Sequence, residues 1–265
     1  MGFIKKICGS IEARVIQPSI QKNFEKTKYG KSLQQYKDKY KGKRCFLIGN
    51  GPSLNVKDLD CLMKNKEITF AFNRIYNIFD DTEWRPTFYI SQDEKMLKGC
   101  CTVVNKLNLP VKFIPIQLHW YHNINIHDAV YFNMNWQQFE NPCDFLFSED
   151  ISKRIDCAST GMYTAAQMAV YMGFSEIYFI GVDHHFQISQ NNKGEIVVDN
   201  TVKDYFTDKY NEDKANLYIP NTEKSTLTYV AMKNHCDRLG VKVYNATRGG
   251  KLEVFPRVEF DSLFR

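Results

Sequence analysis

Apolar residues along this chain fall into short continuous runs that alternate with stretches of helical spacing. Arg44–Ile48 is such a run, closed by a glycine turn, and reads as a buried first strand. Val56, Leu59, Leu62 and Met63 recur at helical spacing over Val56–Met63. Ile68–Phe72 is a second strand, Thr87–Ile90, introduced by Pro86, a third, and Lys112–Ile116 a fourth. Thr160–Met172 is apolar on most sides, as a buried helix is, and stops at Gly173. Glu176–Ile180 is a strand ending at Gly181, Ser225–Leu239 a helix capped by Thr222 or Ser225 and stopped at Gly240, and Val241–Tyr244 a last strand. Strands that are short, continuously apolar and interleaved with helices predict an α/β fold: a Rossmann-like, mostly parallel sheet with helices on both faces. Residues 117–157 and 184–221 carry no clear period, and both follow predicted strands, where α/β proteins place their active-site loops.

Charge divides the chain in two. Residues 1–41 hold ten Lys/Arg and three Asp/Glu, a net +7, while the whole chain of 265 residues carries +5, so the remainder is −2. The expected organisation is a basic helical segment over 1–42 and one nucleotide-binding α/β domain over 43–265. A basic face on the folded domain, which nucleic-acid binding would want, is not predicted. Phe3, Ile7, Ile11 and Val15 recur every four residues with Lys5, Lys6 and Arg14 between them, a short basic amphipathic helix. Residues 1–20 would lie on an anionic membrane surface, or else pack on the domain or on a second subunit of a homo-oligomer. Lys22–Lys41 is polar and reads as a linker or exposed helix. No apolar run is long enough to span a membrane and no secretory leader is evident, so the expected place is the cytoplasm, at most peripheral to the inner face of the plasma membrane. Eight cysteines without a C-x-x-C pair read as free, mostly buried thiols.

Candidate chemistry gathers at the strand ends. Gly49-Asn50-Gly51-Pro52-Ser53 stands between the first strand and a helix, where glycines admit a phosphate or ribose and the helix start offers free N–H groups. It lacks the Gly-Lys-Ser/Thr of a P-loop, and Pro52 and Ser53 interrupt a dinucleotide fingerprint. A bare strand-to-helix turn is the alternative. Asn73 and Arg74 end the second strand, and Arg74 would pair with a phosphate or carboxylate, or with a surface acid. Asp93 and Glu94 end the third strand and either hold Mg²⁺ or stabilise a helix start. Ser159, Thr160 and Gly161 open the buried helix, fit for phosphate binding, for capping, or both. Asp183-His184-His185 follows the strongest strand and is the best general acid/base candidate. Spacing assigns no metal ligands. His119, His122 and His127 share one loop.

These stretches resemble bacterial sialyltransferases of glycosyltransferase family 42. Ile48–Leu54 looks like that family's nucleotide loop, Phe72–Tyr76 its second-strand motif, and Ser159–Tyr163 with Met172–Asp183 its helix, strand and Gly-Ile-Asp stretch. The same residues resemble the MptE-like family, and Asn245-Ala246-Thr247-Arg248-Gly249-Gly250 is similar to its Asn-x-Thr-x-Gly-Gly ending. The resemblance implies a GT-A-like variant of the Rossmann-like sheet and a transferase using a nucleotide-activated, CMP-linked sugar. The acceptor would be a glycan or lipid-linked glycan of a bacterial surface polysaccharide or glycolipid. It implies no required cofactor. Gly49, Asn50, Gly51, Pro52, Ser53, Asn73, Arg74, Ser159, Thr160 and Gly161 would hold the nucleotide, and Tyr218 would stabilise the leaving phosphate. The family's base histidine is replaced by Asn221, so His185 or His184 takes that role, oriented by Asp183. Two other readings stay open: a 6-hydroxymethylpterin diphosphokinase using ATP and Mg²⁺ through Asp93 and Glu94, and a non-catalytic nucleotide-binding module.

Overall fold

A computed structural model describes residues 17–211 and 218–265. The amphipathic pattern over residues 1–16 lies outside the described residues. Helix α1 (Gln17–Lys22) and α2 (Lys28–Gln34) lead into β1 (Arg44–Ile48), α3 (Val56–Lys64), β2 (Ile68–Phe72), β3 (Phe88–Ile90) and α4 (Glu94–Lys106). There follow β4 (Lys112–Pro115), α5 (Ile116–His122), β5 (Ala129–Phe132), β6 (Met134–Trp136) and β7 (Ile155–Cys157). Helix α6 (Gly161–Tyr171), β8 (Glu176–Ile180), β9 (Ile188–Gln190), β10 (Ile196–Val198), α7 (Thr222–Arg238) and β11 (Lys242–Asn245) complete the order.

Seven strands form one sheet in the order β11-β8-β1-β2-β3-β4-β5. Every neighbouring pair in it is parallel. The Rossmann-like reading is therefore correct. Continuous apolar strands are needed because both faces are covered. In β1, Cys45 and Leu47 face one layer, packed with Phe24, Met168 and Met232, while Phe46 and Ile48 face the other, with Leu59, Leu97 and Phe260. The unpatterned stretch 117–157 holds α5, β5 and the small parallel pair β6–β7; 184–221 holds the antiparallel pair β9–β10.

The segment 22–41 is neither a linker nor an exposed helix. Phe24 and Leu33 are fully buried and Tyr36 nearly so, in the same cluster as the sheet. The main chain is bonded to the end of α6: Asp38 N donates to Tyr171 O at 3.0 Å, and Tyr40 N to Met172 O at 2.8 Å. The Tyr40 ring stacks on Phe174, 5.0 Å between centroids. Its lysines cover the outside of a segment whose few aromatic and aliphatic residues all point inward.

Candidate functional site

The chain leaves β1 toward β2 on one side, and β8 adds on the other, so the strand order reverses between β1 and β8. Doubly wound sheets open a crevice at that point, beyond the carboxyl ends of the strands. Here the two strand-end turns touch. Gly49 N donates to Ile180 O and Gly51 N to Gly181 O, each at 2.8 Å. A side chain at Gly49 would collide with the Gly181 carbonyl, and one at Gly51 with the Asp183 carboxylate. The glycines thus serve turn-to-turn contact as well as any ligand.

Asp183 is buried, and its Oδ2 accepts from Ser53 Oγ at 2.7 Å and Ser53 N at 3.3 Å. Burial pushes its pKa up, opposed by those two bonds. Asp183 therefore clasps the glycine loop and does not orient a histidine. Lys251 N donates to its carbonyl at 2.7 Å, which seats the Gly249-Gly250 turn on the same point.

A cleft of about 740 Å³ runs from this junction across the sheet toward β4 and β6. Gly49, Asn50, Gly51, Asn73, Ser159, Thr160 and Gly161 line it together with Asp183, His184, His185 and Tyr218. Pro52, Ser53 and Arg74 do not line it. Ser53 is spent on Asp183. Arg74 is 5% exposed, and its Nη1 donates to Tyr210 O at 2.7 Å, so this guanidinium anchors the 208–211 turn rather than an incoming phosphate. Asn50 Nδ2 donates to Phe72 O at 3.1 Å, its carbonyl accepts from Phe206 N at 3.1 Å, and its buried Oδ1 has no partner among the described residues. Asn73 sits at φ +53°, a left-handed conformation that asparagine tolerates better than most residues. Its Oδ1 accepts from Ser91 Oγ at 3.0 Å and its carbonyl from the Tyr89 hydroxyl at 2.8 Å.

The two histidines differ. His184 Nε2 lies 2.8 Å from Thr226 Oγ1. That hydroxyl gives its own proton to Thr222 O at 2.8 Å, so it accepts from His184 and the Nε2 proton is assigned. Burial pushes the His184 pKa down, which keeps the ring neutral. His185, about one-third exposed, pairs through Nε2 with Asp199 Oδ2 at 3.0 Å. A carboxylate there holds the proton on Nε2 and leaves Nδ1 to accept one. Asp199 was not foreseen; it lies fourteen residues past His185 in an unpatterned stretch, with no sequence signal.

Two helices begin at the cleft. Thr160 caps α6, its Oγ1 accepting from Met162 N at 3.3 Å. Asn221 caps α7, its Oδ1 accepting from Lys224 N at 2.9 Å, so where the sialyltransferases carry a histidine this chain has a helix cap. The starts adjoin: Ser225 Oγ donates to Ser159 O at 3.3 Å, and Thr160 Oγ1 stands 3.3 Å from the Tyr229 hydroxyl. Asp93 caps α4 through Met96 N at 2.9 Å, the helix-start reading of that acid. Glu94 pairs with Lys98 and, at 2.8 Å, with His122 Nδ1 on the cleft wall. Among the described residues no group of three or more His, Cys, Asp or Glu is placed to hold a metal ion. The Lys95 ammonium sits over the Tyr218 ring at the cleft mouth, 4.4 Å from its centroid.

Residues 19–189 match the family described as 6-hydroxymethylpterin diphosphokinase MptE-like. The chain belongs to the MptE-like family. Among solved structures it is similar to the MAf glycosyltransferase of Magnetospirillum magneticum AMB-1, with a TM-score of 0.51 and 16% identity. That match covers 88% of this chain and 38% of the neighbour, so the chain spans well under half of that protein's length. At this identity the likeness speaks for the fold. No curated protein matches. The family description, a diphosphokinase, supports a transferase-like function. No helix among the described residues is long and apolar enough to cross a membrane.

Proposed function

We propose that this MptE-like chain is a glycosyltransferase that takes a CMP-linked sugar as donor and a glycan or lipid-linked glycan as acceptor. The observation that carries the reading is His185, on the wall of a cleft at the sheet's switch point and paired with the Asp199 carboxylate behind it. The neighbour named a glycosyltransferase favours it. Asn50, Gly51, Asn73, Ser159 and Thr160 hold the nucleotide and its phosphate. His185 Nδ1 takes the proton of the acceptor hydroxyl as that oxygen bonds the anomeric carbon. The bond from that carbon to the phosphate oxygen breaks, and its electron pair leaves on CMP. Tyr218 meets the leaving phosphate; desolvation raises its pKa and keeps the phenol protonated as a donor. General-base assistance of this kind contributes roughly 10²- to 10⁴-fold. The acceptors proposed place the work at a membrane surface, with residues 1–20 as the contact.

The family description favours a second reading, a pterin diphosphokinase using ATP and Mg²⁺. It requires Asp93 and Glu94 to release the helix cap and the Lys98–His122 pairing they now make. A thermal-shift panel with CMP, CDP, UDP, GDP and ATP, each with and without Mg²⁺, separates the two. A ligand at a hundred times its dissociation constant adds roughly 2.7 kcal/mol. For a chain of this size that raises the midpoint by about 5–11 °C. A magnesium-independent shift with cytidine nucleotides is expected; a shift only with ATP and Mg²⁺ replaces the glycosyltransferase by the diphosphokinase.

A further inference from the structure

Charge along the cleft is unevenly balanced. The acidic side chains on its wall are engaged: Asp93 caps α4, Glu94 pairs with Lys98 and His122, Asp183 holds Ser53, and Asp204 accepts from Gln187 N. Lys224 is the one lysine or arginine among the described lining residues. Its ammonium makes no hydrogen bond or ion pair with any described residue. It is half-buried, in the first turn of the 17-residue helix α7. A cation is disfavoured there, because the start of a helix carries the positive end of its dipole. Folding alone would put an acid or a neutral residue at this position. A positive charge held against the helix dipole, unpaired and facing a cavity, is placed to meet an anion.

What surrounds Lys224 fits that anion. Ser225, next to it, donates to the carbonyl of Ser159, so the first turn of α7 is seated against the start of α6. First-turn N–H groups of both helices lack intrahelical acceptors and add to the same positive potential. We infer that Lys224, with the adjoining starts of α6 and α7, forms a subsite for the phosphate group of the bound nucleotide. The inference deepens the donor-site reading above and rests on it for the nucleotide. The phosphate itself is read from Lys224 and the two helix starts, independently of the donor. The glycine loop and Lys224 line the same cleft, so a phosphate at the start of α7 leaves Asn50 and Asn73 for the nucleoside.

The test compares the full chain with Lys224→Met, which keeps the length of the side chain, and Lys224→Arg, which keeps its charge. Calorimetric titration would use CMP, cytidine and inorganic pyrophosphate. Losing one charge-assisted contact should weaken CMP and pyrophosphate about ten- to a hundred-fold in Lys224→Met. Cytidine binding should not change, and Lys224→Arg should restore most of the loss. Melting temperature monitors folding, and Lys224→Met should melt no lower than the parent because an unfavourable helix-start charge is gone. Equal CMP or pyrophosphate affinity in parent and Lys224→Met overturns the subsite. Parent protein that binds pyrophosphate through Lys224 but not CMP keeps the subsite and removes the CMP-donor reading. Parent protein that binds neither phosphate compound overturns both.

Discussion

Replacing Asp183 by alanine removes the acceptor that ties the turn after β8 to the glycine loop after β1. Two contacts go: Ser53 Oγ at 2.7 Å and Ser53 N at 3.3 Å. A hydrogen bond to a charged group contributes about 1.5–3 kcal/mol, the longer one at the low end. The cost of keeping that carboxylate buried offsets part of this, and about 2–3 kcal/mol remains. For a chain of this length each kcal/mol moves the midpoint by about 2–4 °C, so Asp183→Ala should melt roughly 4–12 °C lower. Asp183→Asn keeps an oxygen to accept from Ser53 and removes the buried charge, so it should melt near the parent at neutral pH. The pH dependence separates them further. Burial raises the Asp183 pKa in the fold, so the native protein holds that proton more tightly than the unfolded chain. Its contribution is fully present below the unfolded carboxylate pKa and is lost as pH rises through the raised folded value. The Asn variant should lack that acid-side gain. The assay is differential scanning calorimetry of the three proteins across acid to neutral pH. Asp183→Ala melting within about 1 °C of the parent would refute the clasp, since that change is well below what two lost bonds should give. A shifted pH–rate profile in Asp183→Asn, with the melting temperature unchanged, would return Asp183 to the role of histidine orienter.

Three further outcomes are expected. His185→Ala should lower turnover by about 10²–10⁴-fold while sparing CMP affinity, and Asp199→Asn should lower it less; lost affinity with unchanged turnover removes the base role. Phe24→Ala should cost about 3–5 kcal/mol by denaturant titration, because the ring is fully buried in the sheet-side core; a cost below about 1 kcal/mol would mean that the segment is detachable. His184 is half-buried with a lowered pKa, so its contribution is present above the unfolded histidine value and lost as pH falls through that range. A His184→Gln variant should therefore show a flatter acid limb in the melting temperature, and an unchanged limb would assign that slope elsewhere.

The strands β1 to β4, β8 and β11 and the helices α3, α6 and α7 were legible because their periods are local, whereas the edge strand β5 and helix α4 were not. Continuous apolar runs such as Cys45–Ile48 and Ile177–Ile180 have one stable placement, the middle of a sheet covered on both faces. A parallel sheet puts every strand's carboxyl end at one edge, so the glycine loop, Asn73 and Asp183–His185 were bound to meet once the strands were found, whereas Ser159–Gly161 follow β7, outside that sheet, and reach the cleft at the start of α6. Which of those residues bonds to which was not legible. Asp183 meets Ser53 across 130 positions, and both turns had to be folded before that distance existed. Arg74 reads as a phosphate ligand by its type and place, yet it is buried off the cleft and donates to the Tyr210 carbonyl of the 208–211 turn. His185 is completed by Asp199 from a stretch without period, and Lys224 matters because the acidic residues described on the cleft wall are already engaged. Residues 22–41 show the same limit from the other side: composition reports the many lysines on the surface, while three buried side chains decide where the segment goes. Hydrophobic period is written in neighbouring residues and survives in one dimension; pairing, burial and the sign of a cavity's charge depend on distances through space that only the closed fold creates.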